Sequence, residues 1–162
     1  MVINGFYIIK NEFFDFVQDP FLKDNKDGNR PFYYCLEEEV DNTILYWMIP
    51  LSSRVEKYQK IIQTKKSQNK PTDGLYICRL PGDKESTFLI QDMFPLTENY
   101  IEREYTLNGN HMVLIKEKDI KNISLKAKTI RELIKRGIKL TPTSPNVPRI
   151  ITLLLNQNVD SK

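Results

Sequence analysis

The chain contains a single histidine, His111, in 162 residues. That scarcity removes a paired-imidazole acid–base mechanism and any histidine-built metal centre. Its two cysteines, Cys35 and Cys78, sit in apolar, strand-like segments without metal-ligand spacing. They exclude a disulfide framework and predict reduced core thiols in a cytoplasmic protein. The six glycines are scattered singly, so no glycine-rich phosphate loop exists. No apolar run approaches the ~20 residues needed to span a bilayer, and Met1–Lys10 lacks the basic start and cleavage site of a secretory leader. The acidic triplet Glu37-Glu38-Glu39 reads as a solvated strand end. No metal and no cofactor are expected.

What is present is an ordinary globular composition, 40% apolar and 28% charged, at a length that suits one domain over residues 1–162. The net charge of +3 hides a division. Residues 1–102 carry 12 Lys/Arg against 16 Asp/Glu, whereas residues 103–150 carry 11 against 4. Within the acidic part, residues 54–70 are again basic, with Arg54, Lys57, Lys60, Lys65, Lys66 and Lys70 against Glu56 alone. Two solvated helix faces would account for this; so would an extended polyanion partner, and two such segments in one small domain favour nucleic acid.

Periodicity predicts a first strand over Gly5–Ile9 and a short helix over Asn11–Val17 with Asn11 as its cap. A polar loop, Asp19–Asn29, leads to Arg30-Pro31. Phe32–Glu38 and Thr43–Pro50 form a hairpin, followed by a basic helix over about Ser53–Lys66. A second hairpin, Leu75–Leu80 with Thr87–Met93, turns at Pro81-Gly82-Asp83, and Phe94-Pro95-Leu96-Thr97 breaks its last strand. Thr97–Tyr100 starts a short helix, and Tyr105–Ile115 is a small hairpin with Asn108-Gly109 at its tip. Asp119–Ile138 is a long helix ending at Gly137, and Asn146–Asn156 a final one with Pro148 in its first turn. Hairpins with inserted and C-terminal helices make an α+β domain around a small antiparallel sheet, of a size suited to a partly open barrel.

Leu45–Tyr58 carries the chemistry. A buried strand runs through Pro50-Leu51 into a helix N-terminus, where Ser52, Ser53, Arg54 and Lys57 fall within one turn. Free N–H groups and the helix dipole favour an anion there. Ser53-Arg54-Val55-Glu56 is also a capping box; that explains Ser53 and Glu56 but neither Ser52 nor the cations, and both readings can hold. Cations and hydroxyls without histidine or metal suit RNA, which brings its own nucleophile, the 2′-OH. Products would be a 2′,3′-cyclic phosphate and a 5′-OH. Tyr7, Phe32, Tyr33, Tyr34 and Tyr76 are candidate base-stacking residues, each also an ordinary core aromatic. His111 is expected to be structural, with substrate contact as its alternative.

At Pro50-Leu51-Ser52-Ser53-Arg54 the sequence resembles the endoribonuclease toxins of type III toxin–antitoxin systems, the ToxN, AbiQ and CptN family. Gly5–Ile9, Arg30-Pro31-Phe32-Tyr33, Phe88–Pro95 and the basic penultimate helix extend the resemblance over nearly the whole chain, and Gly5–Lys10, Tyr46–Tyr58 and Ile90–Pro95 are most like the CptN branch. It implies an SH3-like, MazF-like barrel elaborated with helices. It implies a sequence-selective, metal-independent RNase that halts growth or aborts phage infection. The partner it implies is a small repeat-derived RNA antitoxin, folded into pseudoknots, which the toxin cuts from a precursor and which then fills its groove in a closed toxin–RNA assembly. Ser52 and Ser53 match the family's hydroxyl pair, Arg30 a basic RNA contact and Tyr7 the first-strand tyrosine. The family's catalytic lysine is replaced by Val55, so Lys57 or Arg54 must stand in for it: Lys57 for phosphate contact or proton transfer, Arg54 for charge on the phosphorane. Lys26, Arg30, Lys60, Tyr33, His111 and, on the basic helix, Lys126, Arg131 and Lys135 complete the expected RNA contacts. The alternatives are a non-catalytic RNA-binding domain and a fold that binds a protein through exposed aromatics.

Overall fold

The computed structural model describes residues 1–160; Ser161 and Lys162, the end of the expected 1–162 domain, lie outside the described residues. Its elements in order are β1 (Phe6–Ile9), α1 (Asn11–Val17), β2 (Phe32–Val40), β3 (Thr43–Ser52) and α2 (Val55–Ser67). There follow β4 (Tyr76–Arg79), β5 (Glu85–Phe88), β6 (Phe94–Leu96), β7 (Ile101–Glu104), β8 (Thr106–Leu107), β9 (Asn110–His111), α3 (Glu117–Lys135) and α4 (Val147–Asp160). Single 3-10 turns occupy Ile90–Asp92 and Glu98–Tyr100. Seven strands form one antiparallel sheet in the order β4-β5-β3-β2-β1-β7, with β6 added to β3; β8 and β9 make a separate ribbon. The end strands β4 and β7 do not pair, so the sheet is open rather than closed into a barrel.

The centre of the sheet is buried on both faces, which is why β1 through β3 read as nearly continuous apolar runs. Phe6, Tyr33, Trp47 and Ile49 pack with Ile123, Ala127, Ile130 and Ile134 of α3. Tyr7, Ile9, Phe32, Tyr34 and Met48 pack with Phe13 and Val17 of α1 and Ile150 and Leu154 of α4. A bulge between Tyr34 and Leu36 lets Cys35 and Leu36 join the same cluster, breaking the alternation. Helix α2 is held by a third, smaller cluster around Tyr58, Leu75 and Leu89.

Several boundaries differ from expectation. Helix α1 is preceded by Lys10 rather than capped by Asn11, whose side chain instead accepts a hydrogen bond from Asn25. The stretch Ile90–Asp92 is a 3-10 turn, not strand. Phe94–Leu96 is a strand after all, with Pro95 opposite Trp47 on β3. Strand β7 carried no apolar alternation to announce it. Glu38 is not solvated: it accepts from Trp47 Nε1 at 3.2 Å and from the Lys135 ammonium, tying the end of α3 to the sheet. Both thiols are buried, and burial pushes Cys78 up to about 12 and Cys35 higher still, so neither is a nucleophile. Among the described residues no helix is long and apolar enough to cross a membrane.

Candidate functional site

Strand β3 ends where Pro50 and Leu51 run between β2 and β5. The chain then turns through Ser53 and Arg54 into α2. The expected capping box does not form. Arg54 occupies the cap position, without a side-chain cap, and it is the Arg54 N–H that bonds Ser52 Oγ, at 3.2 Å. Ser53 contributes only its carbonyl, to Val55 N–H at 2.9 Å, leaving its hydroxyl exposed. Among the described residues the N–H groups of Glu56 and Lys57 have no acceptor, so the helix start keeps unspent donors.

These residues form one wall of a groove of about 640 Å³. Three other stretches complete it. The strap between α1 and β2 supplies Lys23, Lys26 and Arg30; the β4–β5 hairpin supplies Leu80, Pro81, Gly82, Lys84 and Ser86; the β8–β9 ribbon and its flanks supply Tyr105, Leu107 and Met112. Six cations line the groove and no carboxylate does. Arg30 has Asp24 at 3.9 Å behind it; crowding the remaining like charges with so little counter-charge is costly, and the field it makes attracts a polyanion. The same lining offers a cation no carboxylate or imidazole, and among the described residues no three His, Cys, Asp or Glu side chains come together as metal ligands.

The strap is held by Asn25, which is 2% exposed. Its Oδ1 accepts from Ile9 N–H at 3.2 Å, and its Nδ2 donates to Ile9 O and to Asn11 Oδ1. Arg30 N–H returns to Asn25 O at 2.9 Å, closing a loop through left-handed backbone at Lys26, Asp27 and Gly28. Beneath the helix start, the Lys57 ammonium lies 5.2 Å from the centre of the Tyr58 ring. The Tyr58 hydroxyl faces Ser52; burial and the Asp92 charge raise its pKa, so it stays a donor.

The structure therefore brings Ser52, Ser53, Arg54, Lys57, Lys26 and Arg30 to one groove. The other expected contacts lie elsewhere. Tyr7 and Tyr33 are core residues, 3% and 1% exposed, their hydroxyls bonded to Val2 and to Asn4 Oδ1; a base cannot stack on either ring. Phe32 and Tyr34 are buried likewise, and Tyr76 donates to Asp119 Oδ1 at 2.7 Å. His111 bonds Phe6 O at 3.0 Å, pairs with Glu104 and packs edge-on against Tyr7. A Cβ on Gly5 would sit 2.7 Å from that imidazole, so glycine is required there. Lys60 is exposed on α2 outside the groove lining. On α3, Lys126 pairs with Asp73, Arg131 with Glu132 and Lys135 with Glu38. Sequence reasoning missed Lys23, Tyr58, Lys84, Ser86 and Tyr105; nothing in their local sequence distinguishes them, because only the tertiary fold draws them together.

No family model matches the sequence, and no curated protein is similar to it by sequence. Its fold is similar to that of AbiQ, a lactococcal anti-phage endoribonuclease belonging to the type III toxin–antitoxin system. The match has a TM-score of 0.59 and covers 96% of this chain and 98% of that one, at 13% identity. The two chains share a fold across their whole lengths.

Proposed function

We propose that this chain is an endoribonuclease toxin of a type III toxin–antitoxin system, of the ToxN/AbiQ family and its CptN branch, acting as a single domain whose open antiparallel sheet is an SH3-like core elaborated with helices. The observation that carries the reading is one groove lined by six cations, three serines and no acid, in a fold like that of a known endoribonuclease. Its substrate is cellular RNA. Its antitoxin is a structured, repeat-derived pseudoknot RNA that it releases from a precursor and that occupies the groove in a closed assembly in the cytoplasm. RNA suits the groove because the attacking group comes with the substrate.

In the reaction O2′ loses its proton and bonds to phosphorus while the P–O5′ bond breaks and O5′ takes up a proton. A 2′,3′-cyclic phosphate and a 5′-OH result, with no metal. Ser52 Oγ already accepts the Arg54 N–H, so what it offers the substrate is its own O–H, a donor to a non-bridging phosphate oxygen. Ser53 is free to do the same. Arg54 spans two oxygens with its guanidinium fork and balances charge on the phosphorane. Lys57, one turn in, contacts the phosphate or delivers the proton to O5′. Lys26 and Arg30 hold flanking phosphates.

The test is incubation with cellular RNA in EDTA, followed by analysis of fragment ends. Discrete cuts with cyclic phosphate ends, slowed about 100-fold or more in Lys57→Ala or Arg54→Ala, are expected. Full cleavage by both variants would overturn the site. RNA that is bound but intact would leave a non-catalytic RNA-binding domain.

A further inference from the structure

The chain has eight tyrosines. Seven are engaged within the fold: Tyr33 donates to Asn4, Tyr76 to Asp119, and Tyr34 and Tyr46 meet edge to face, with comparable partners for Tyr7, Tyr58 and Tyr100. Tyr105 is the exception among the described residues, with neither a hydroxyl partner nor a ring neighbour. Yet its backbone is fixed on both sides. Its N–H donates to Phe6 O at 2.9 Å, and its carbonyl accepts from Met112 N–H at 2.8 Å. A half-buried ring is thus fixed by its backbone and by packing against the core, and stands in the wall of the groove with its hydroxyl unspent.

The lining is not cationic alone. Tyr105, Leu107 and Met112 from the β8–β9 ribbon and its flanks add apolar surface to it, as do Leu80 and Pro81 of the hairpin that also carries Lys84. Two turns meet there: a Cβ on Gly82 would lie 3.1 Å from Leu107 Cδ2, so the β4–β5 turn is packed onto the β8–β9 ribbon. A groove for phosphates alone needs no such apolar surface. A nucleotide does, because its anionic phosphate is joined to a flat apolar base.

We infer that Tyr105, with Leu107 and Pro81 beside it, is a stacking subsite for one unpaired nucleobase of the strand whose phosphate lies against Ser52, Arg54 and Lys57. The inference rests on the RNA reading of the groove and narrows it to single-stranded RNA, since a base inside a duplex has no free face to offer.

The test uses a short, 2′-O-methyl, non-cleavable single strand carrying 2-aminopurine, and the same strand with an abasic site in its place. Wild-type protein should quench the 2-aminopurine on binding. Tyr105→Ala should lose the quenching and bind about ten-fold or more weakly, whereas Tyr105→Phe should stay within about three-fold of wild type. Tyr105→Leu, which keeps apolar bulk and so controls for folding, should also lose the quenching. The abasic strand should be bound equally by wild type and Tyr105→Ala. If wild type binds the strand and Tyr105→Ala binds and quenches as well, the subsite is refuted while the RNA reading stands. If wild type binds no strand at all, both fall.

Discussion

Replacing Asn25 by alanine separates how the groove's cations are held from how the fold is held. The amide of Asn25 is the link between the strap and the end of β1. Its loss leaves the N–H and C=O of Ile9 without a partner, at a cost of ~1–3 kcal/mol each while they stay buried. Release of the strap lets water reach both groups and is the cheaper outcome. Three of the six groove cations, Lys23, Lys26 and Arg30, leave with it. Each phosphate neutralised on a single strand contributes about 0.7 to the slope of log affinity against log salt. Six contacts give a slope near −4 and three give about −2. Between ~50 and ~200 mM salt, wild type should then lose about 300-fold in affinity and Asn25→Ala only about 20-fold. Fluorescence anisotropy with a non-cleavable single-stranded RNA over that range measures both. An Asn25→Ala protein that binds less tightly but keeps the wild-type slope would show that the strap is held by something else.

Two further changes probe the scaffold. Asp92 is 7% exposed with a buried, unpartnered oxygen, and burial pushes its carboxyl up to about 6, with Lys23 pulling weakly the other way. The folded state thus disfavours the ionised form. Its stability is greatest below the unfolded value near 3.9 and falls as pH rises to about 6, by ~3 kcal/mol at most. Asp92→Asn should therefore stabilise the protein at pH 7 and change little at pH 3; an equal effect at both, in denaturant unfolding, would contradict this. Leu154→Ala removes a side chain 1% exposed between α4 and the sheet. It should cost ~2–5 kcal/mol in the same unfolding assay while leaving the salt slope of RNA binding unchanged.

How far the sequence could be read depended on whether the signal was local. Helix α3 carries Ile123, Ala127, Ile130 and Ile134 at helical spacing, and the Asn108-Gly109 turn adopts the left-handed pair its residues favour. Both were legible. Strand β6 was hidden by Pro95, which breaks a central strand but is tolerated in a three-residue partner of β3. Strand β7 was hidden because Glu102, Arg103 and Glu104 are exposed at a sheet edge, where charge guards against unwanted pairing. The same contrast holds for the groove. Ser52 through Lys57 are contiguous and announced themselves; Lys84, just past a turn, and Tyr105, between two short strands, have no such neighbours in sequence. The basic run on α3 was legible as charge but not as pairing, since Lys126, Arg131 and Lys135 each meet a carboxylate, two of them distant in sequence.

The groove takes its walls from four stretches that begin at Lys23 and end at Met112. A ribosome translating this message therefore has no complete groove on the emerging chain until Met112 has cleared the exit tunnel and the sheet has closed around it. A transcript severed anywhere upstream of that codon yields a fragment with at most three of the four walls. Under the proposed function, a single break in the first two-thirds of its own message is enough to disarm the product.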